Sequence, residues 1–280
     1  MKQNPKIDLQ RLLAQRYSDP PNVPDTQIFD SVLDGMAQRG SCRKFQKTPV
    51  PQGVLETLCA VALAAPSKSD LQQRDIVLMT SKASRDQLAA LVSGQEWVSN
   101  APTIVVFCGN GRRQRQLHDW HDIPFANDHL DSFFNATVDG AIALGAFVTA
   151  AEAIGLGCCP ISAIRNEPEA VSDLLALPDH VFPIAGIAIG YPEQTPTISK
   201  RLPLAVTVHY DRFSEVALKE AVEDYDADRA ATQPYQMQRL TKTFGEDQTY
   251  GWSTDKVRQY SQPERSTFGS FVRAKGYRLD

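Results

Sequence analysis

The strongest constraint on how this chain folds is one long apolar tract, residues 130–156, interrupted by Asp131, Asn135, Asp139 and Glu152. Ionisable side chains spaced through a stretch of that length make it a poor membrane span, so the tract is expected to be the core helix of a soluble protein, from about 130 to 154. It is rich in small residues, Ala136, Gly140, Ala141, Ala143, Gly145, Ala146, Ala150 and Ala151. Such a surface lets a second helix approach closely, which suits either the middle of a domain or a two-fold dimer seam.

Around that helix the pattern predicts shorter elements. A helix starting at a cap on Asp25 or Thr26 carries Ile28, Phe29, Val32, Leu33 and Met36 on one stripe and ends at Arg39-Gly40. Further helices are expected at 51–65, 83–92, 167–175, 215–230 and 264–275, and β-like runs at 75–79, 104–108 and 182–189. The first 25 residues form a short amphipathic helix followed by a proline-rich linker, 18–24, which cannot continue it. We find no internal repeat.

Composition narrows the function classes. A chain of 280 residues with 42% apolar content can bury a substantial core. Its net charge of −4 argues against nucleic acid or an anionic membrane as partner, so any anion site must be local. The five cysteines form no CxxC, and Cys158 and Cys159 are adjacent, which suggests reduced buried thiols and neither a disulfide framework nor a zinc ribbon. The amino terminus mixes Ile7, Leu9, Leu12 and Leu13 with Asp8, Arg11 and Arg16 and lacks a signal-peptide apolar core, so a cytoplasmic protein is expected.

Four short segments could carry chemistry. In QRGSCRKF, Arg39, Ser41, Arg43 and Lys44 offer guanidinium forks and a hydroxyl to a terminal phosphate, or are simply a solvated helix end. APSKSDLQ, residues 65–72, is a loop that presents hydroxyls and backbone N–H groups, or an ordinary helix-to-strand connection. GLGCCPISAIRN, residues 155–166, and SKRLP, residues 199–203, are the third and fourth. A rival lies in LHDWHDIPFANDHLD: His118, His121 and His129 with several aspartates could ligate a metal, although Pro124 breaks the segment and no HExxH-type signature is present.

Taken in order, RGSCRKF, APSKSDLQ, SGQEWV, GLGCCPISAIRN, GYPEQTPTISKRLP and GWSTDKVRQYSQPERSTFGSFVRAKGY closely resemble the FMN-dependent nitroreductase/flavin reductase family, nearest its NADPH-dependent oxygen-insensitive nitroreductase branch. The resemblance implies an α+β, nitroreductase-like fold: a central, mostly antiparallel sheet flanked by helices, one long central helix, and an intertwined homodimer. It divides the chain into an extension (1–25), an FMN-binding core (26–213) and a C-terminal helical extension wrapping the partner subunit (214–280). It further implies that Arg39, Ser41 and Arg43 meet the flavin phosphate, ribityl chain and pyrimidine edge. Ser67 would be the family's loop serine, with Ser69 and Asp70 beside it. Gln95 matches the family's glutamine, residues 160–163 (Pro160, Ile161, Ser162, Ala163) the donors near flavin N5 and O4, and Arg201, with Lys200, the closing phosphate site.

Three departures stand out. Ser199-Lys200-Arg201 replaces Lys-x-Arg, and Asp70 replaces an asparagine, where it either faces the flavin or pairs with Lys68 or Arg74. Pro160 cannot donate an N–H, leaving Ile161 and Ser162 to do so. What the resemblance implies as function is a ping-pong cycle in which NAD(P)H reduces FMN and a nitroaromatic, quinone or flavin acceptor removes two electrons, with no acid–base side chain required. A metal-dependent hydrolase built on His118, His121 and His129, or a flavin-binding protein without turnover, are the alternatives.

Overall fold

The computed structural model describes residues 5–21, 23, 31–92 and 95–280. Along the chain run α1 (Pro5–Arg16), α2 (Ser31–Gln38), α3 (Gln52–Leu63), β1 (Arg74–Met79), α4 (Lys82–Leu91), β2 (Thr103–Asn110), α5 (Arg112–Trp120) and α6 (Leu130–Ala153). They are followed by β3 (Gly157–Ile161), α7 (Pro168–Leu174), β4 (Val181–Gly190), α8 (Leu204–Thr207), α9 (Leu218–Thr232), α10 (Thr241–Phe244), α11 (Trp252–Tyr260) and α12 (Phe268–Ala274). Two compact units form: residues 1–40 with 197–264, and residues 41–196 with 265–280.

The second unit is built on a four-stranded antiparallel sheet in the order β1-β2-β4-β3. Strand side chains alternate between faces, and here both faces are covered, so β2 is buried throughout. Ile104, Val106 and Cys108 join Leu88, Ile161 and Val181 on one side. Val105 and Phe107 join Leu55, Leu58, Ala143, Phe147, Ile187 and Ile189 on the other. The second face is the one that α6 and α3 cover. Ala136, Gly140, Ala143 and Ala151 lie on the buried side of α6, and a Cβ at Gly140 would overlap the Ile184 side chain. The small residues thus serve close helix-to-sheet approach, while Phe134, Ala141, Ile142 and Gly145 on the opposite side are exposed within the chain.

Five elements escaped the sequence pattern: β3, α5, α8, α10 and α11. β3 lies in the segment 155–166 as an edge strand, and Pro160 is tolerated there because an edge need not donate on its free side. Pro183 sits in the central strand β4, where the β2 register shifts at Phe107/Cys108, the bulge that a proline inside a sheet requires. α5 has no buried residue and therefore no apolar stripe to detect. The expected helix from 25 is seen as α2 from Ser31, and its first part lies outside the described residues. In the described part of its apolar stripe, Val32, Leu33 and Met36 are 45, 38 and 54% exposed within the chain.

In the first unit α1 packs on α2 through Leu9, Leu12, Val23 and Ala37, with Ile198 against them. Trp252 at the start of α11 meets Tyr225 of α9 edge-on at 5.6 Å. Below α11 lies a buried charge: Asp255, 2% exposed, is bonded by Arg239 Nε at 3.1 and 3.2 Å, Tyr250 Oη at 2.7 Å and Lys256 Nζ at 2.7 Å.

Candidate functional site

Each unit gathers one group of the candidate residues. In the first, the chain leaving α2 brings Arg39 to a cavity of about 710 Å³, which the segment Ser199, Lys200, Arg201 also lines. Arg16, Arg229 and Lys256 complete a set of six cations among the described residues, and among these no carboxylate lines the space. Lys200 Nζ is ion-paired to Asp228, which draws it to one wall. Arg201 Nη1 donates to the Ser199 hydroxyl at 2.7 Å, so the serine that stands where the family has lysine orients the neighbouring arginine. Arg229 lends its Nη1 to Tyr225 Oη at 3.2 Å, and its buried Nε has no hydrogen-bond partner among the described residues. A buried unmatched guanidinium N–H beside other cations, in a cavity whose described lining holds no carboxylate, is a place for an oxyanion.

The second unit holds the remaining candidates on loops around its sheet. Cys42 N donates to Cys158 O at 3.0 Å, so the segment carrying Ser41 and Arg43 runs along the free edge of β3. Arg43 lies over the Trp97 ring at 5.7 Å, two residues beyond Gln95, which caps the short helix Glu96–Val98. The bond to Cys158 O also sets the parity of the strand. Cys158 and Pro160 point their backbone outward, whereas Ile161, paired with Gly186, turns its N–H to β4. The outward donors left at this edge are therefore those of Ser162 and Ala163, which open the short helix Ser162–Arg165.

The loop of residues 65–73 is fixed by two buried charges that sequence reading missed. Asp139, 1% exposed in the middle of α6, accepts Lys68 N at 3.1 Å on one oxygen and Gln73 N at 2.9 Å on the other. Arg74, 5% exposed, donates to Leu63 O and Pro66 O at 2.8 Å and to Ala65 O at 2.7 Å. The carboxylate satisfies the loop's N–H groups and the guanidinium its carbonyls, including the last one of α3. Between them the backbone is held in the left-handed region at Ser69, Asp70 and Gln72, φ 48°, 57° and 50°. Ser67 Oγ accepts Gln72 N at 2.9 Å and keeps its own proton to donate. Neither pairing expected for Asp70 forms: Lys68 reaches Asp131 at 3.1 Å, Arg74 is spent on carbonyls, and Asp70 takes the Gln72 amide at 3.0 Å.

Two of the three histidines of the rival site have other work. His118 Nδ1 lies 3.0 Å from Ile123 O, and His129 caps α6 by accepting Asp131 N. Among the described residues no three His, Cys, Asp or Glu side chains come together as metal ligands. Cysteine is poorly placed for nucleophilic chemistry: burial, with Asp75 adding to it, pushes the Cys108 thiol up to about 12, and burial raises Cys42 as well.

An antiparallel sheet crossed by one long apolar helix defines an α+β protein. The chain belongs to the nitroreductase family, whose model matches residues 36–191, while the model of the family's C-terminal domain matches residues 199–280. It is 27% identical over 255 residues, 90% of the chain and all of the relative, to an FMN reductase [NAD(P)H] of Bacillus subtilis. It is 35% identical over 173 residues, 62% of the chain and 70% of the relative, to an oxygen-insensitive NADPH nitroreductase of Salmonella typhimurium. The B. megaterium NfrA2 structure superposes with a TM-score of 0.82 at 28% identity, covering 90% of this chain and 100% of that one.

Proposed function

We propose that the protein is an FMN-dependent oxidoreductase that takes electrons from NAD(P)H and delivers them, two at a time in a ping-pong cycle, to nitroaromatic, quinone or flavin acceptors. The observation that carries this reading is the cavity of the first unit, lined among the described residues by six cations including Arg39, Lys200 and Arg201 and by no carboxylate, which fits a phosphate dianion. Relatives named FMN reductase and NADPH nitroreductase support the choice of cofactor and donor. Bound FMN supplies the redox chemistry itself, exchanging a hydride with the nicotinamide and electrons with the acceptor.

The chain's own residues bind and orient. Arg39 and Arg201 offer forked donors to the phosphate, and Lys200 adds charge from its anchored position at Asp228. The second unit, taken by itself, holds Arg43 against Trp97 and carries the hydroxyl, amide and backbone donors of Ser41, Ser67, Ser69, Gln95, Ser162 and Ala163. Asp70, engaged with Gln72, is the loop's one carboxylate and sets the charge that loop presents.

The purified protein is expected to be yellow and to release FMN, not FAD, on denaturation. Arg201→Ala is expected to weaken FMN binding by about 1.5 to 3 kcal/mol, the range for a lost charge-assisted hydrogen bond. Colourless protein that cannot be reconstituted with FMN contradicts the reading.

We also propose a cytoplasmic homodimer, with the C-terminal region from Trp252 wrapping the partner. The exposed apolar residues of α2 and of α6 (Phe134 60%, Ile142 38%) support it, since a monomer gains nothing by presenting such stripes to water. Light scattering is expected to return twice the chain mass of 30.9 kDa. A flavin-loaded species of single chain mass argues against it.

A further inference from the structure

The amino-terminal helix precedes the family-matched residues, yet one of its side chains is built into the cationic cavity. Arg16 is 7% exposed at the end of α1. Its Nε and Nη2 donate to Ala37 O at 3.1 and 2.8 Å, Nη2 also to Arg39 O at 2.7 Å, and Nη1 to Ser199 O at 3.2 Å. The Arg16 carbonyl in turn accepts Arg201 N at 2.9 Å. One residue therefore binds the backbone of both strips of chain that carry the cavity's arginines, 37–39 and 199–201, which are about 160 residues apart in sequence. Leu9 and Leu12, buried against Ala37, seat α1 so that the guanidinium reaches these carbonyls.

We propose that Arg16 is a positioning residue for the cofactor phosphate: it fixes the spacing of Arg39 and Arg201, and through it the amino-terminal extension is part of the cofactor site. The inference rests on the FMN reading above. Without the bridge a bidentate clamp must be ordered at each binding event, which lowers affinity for the phosphate and not for the ring. Lysine cannot replace it, because a single ammonium on a flexible stem cannot serve carbonyls of both strips in one fixed geometry.

The test uses the full-length chain freed of flavin and titrated with FMN and with riboflavin, which lacks the phosphate, following the quenching of flavin fluorescence. The quantity read is the ratio of the two dissociation constants. Arg201→Ala, run in parallel, is expected to collapse that ratio, as the FMN reading requires. Arg16→Ala is expected to reduce it about 10-fold with riboflavin affinity unchanged, and Arg16→Lys about 3- to 5-fold. Should Arg16→Ala not fold, the lysine variant alone decides. A full ratio in Arg16→Lys, or in Arg16→Ala, while Arg201→Ala collapses it, overturns the positioning role and leaves the FMN reading standing. Equal loss of FMN and riboflavin in an Arg16 variant also overturns it, since that is a general loss of structure. A wild-type ratio near one, untouched by Arg201→Ala, removes the FMN reading and the inference with it.

Discussion

Asp139→Ala is expected to lower the unfolding midpoint by roughly 5 to 7 °C, corresponding to about 3 to 4 kcal/mol for a chain of this size. The carboxylate is buried inside α6 and takes one backbone N–H on each oxygen, from Lys68 and from Gln73. Each is a charge-assisted bond of about 1.5 to 3 kcal/mol, and truncation leaves the Gln73 N–H buried without an acceptor. Asp139→Asn keeps one acceptor but turns an NH2 group on the other N–H, so most of the loss is expected to persist. The left-handed backbone at Ser69, Asp70 and Gln72 is then no longer over-determined, and faster hydrogen exchange or proteolysis over residues 65–73 is expected. A midpoint within 2 °C of wild type shows that the carboxylate does not hold the loop.

The second large effect is expected at Asp255, where replacement by alanine strips Arg239, Tyr250 and Lys256 of one shared partner. Removing one side of a fully buried pair costs about 3 to 5 kcal/mol; Arg239 and Lys256 are 49 and 37% exposed and rehydrate in part, so about 2 to 4 kcal/mol is expected. Burial acts to raise the Asp255 carboxyl, and the bonds from Lys256, Tyr250 and Arg239 outweigh it and hold it below the ordinary value of 3.8. Because the folded group is the stronger acid, its stabilisation is complete above that ordinary value and is lost as pH falls through the lower folded one. Urea titrations of Asp255→Asn against wild type are thus expected to differ at pH 6 and to converge below pH 3.8. A gap that persists unchanged into acid shows that charge is not the source of the stability.

Asp139 and Arg16 teach the same lesson about reading a chain like this one. Both lie on the buried stripe of their helices, Asp139 among Ser132, Ala136, Ala143 and Phe147, and Arg16 in register with Leu9 and Leu12. A charge on an apolar stripe is a legible signal that something specific must meet it. The partners were not legible, because they are backbone groups, which every residue carries. In each case they come from chain far off in sequence: a loop about 70 residues before Asp139, and carbonyls about 20 and 180 residues after Arg16.

The long helix and the apolar runs of β2 and β4 were determined by the sequence itself, because hydrophobic periodicity and run length report burial directly. So was the family, through several short motifs in a fixed order. β3 needed the tertiary structure, since five residues with a proline become a strand only by pairing with β4 at an edge. The same holds for which strand N–H groups remain free at residues 160–163, a matter of ladder parity that Cys42 fixes from outside the strand. It holds again for the role proposed for the extension, which rests on Arg16 bonding the carbonyls of Ala37, Arg39 and Ser199. Periodicity records how deeply a side chain is buried; only the folded chain decides which distant backbone it finds there.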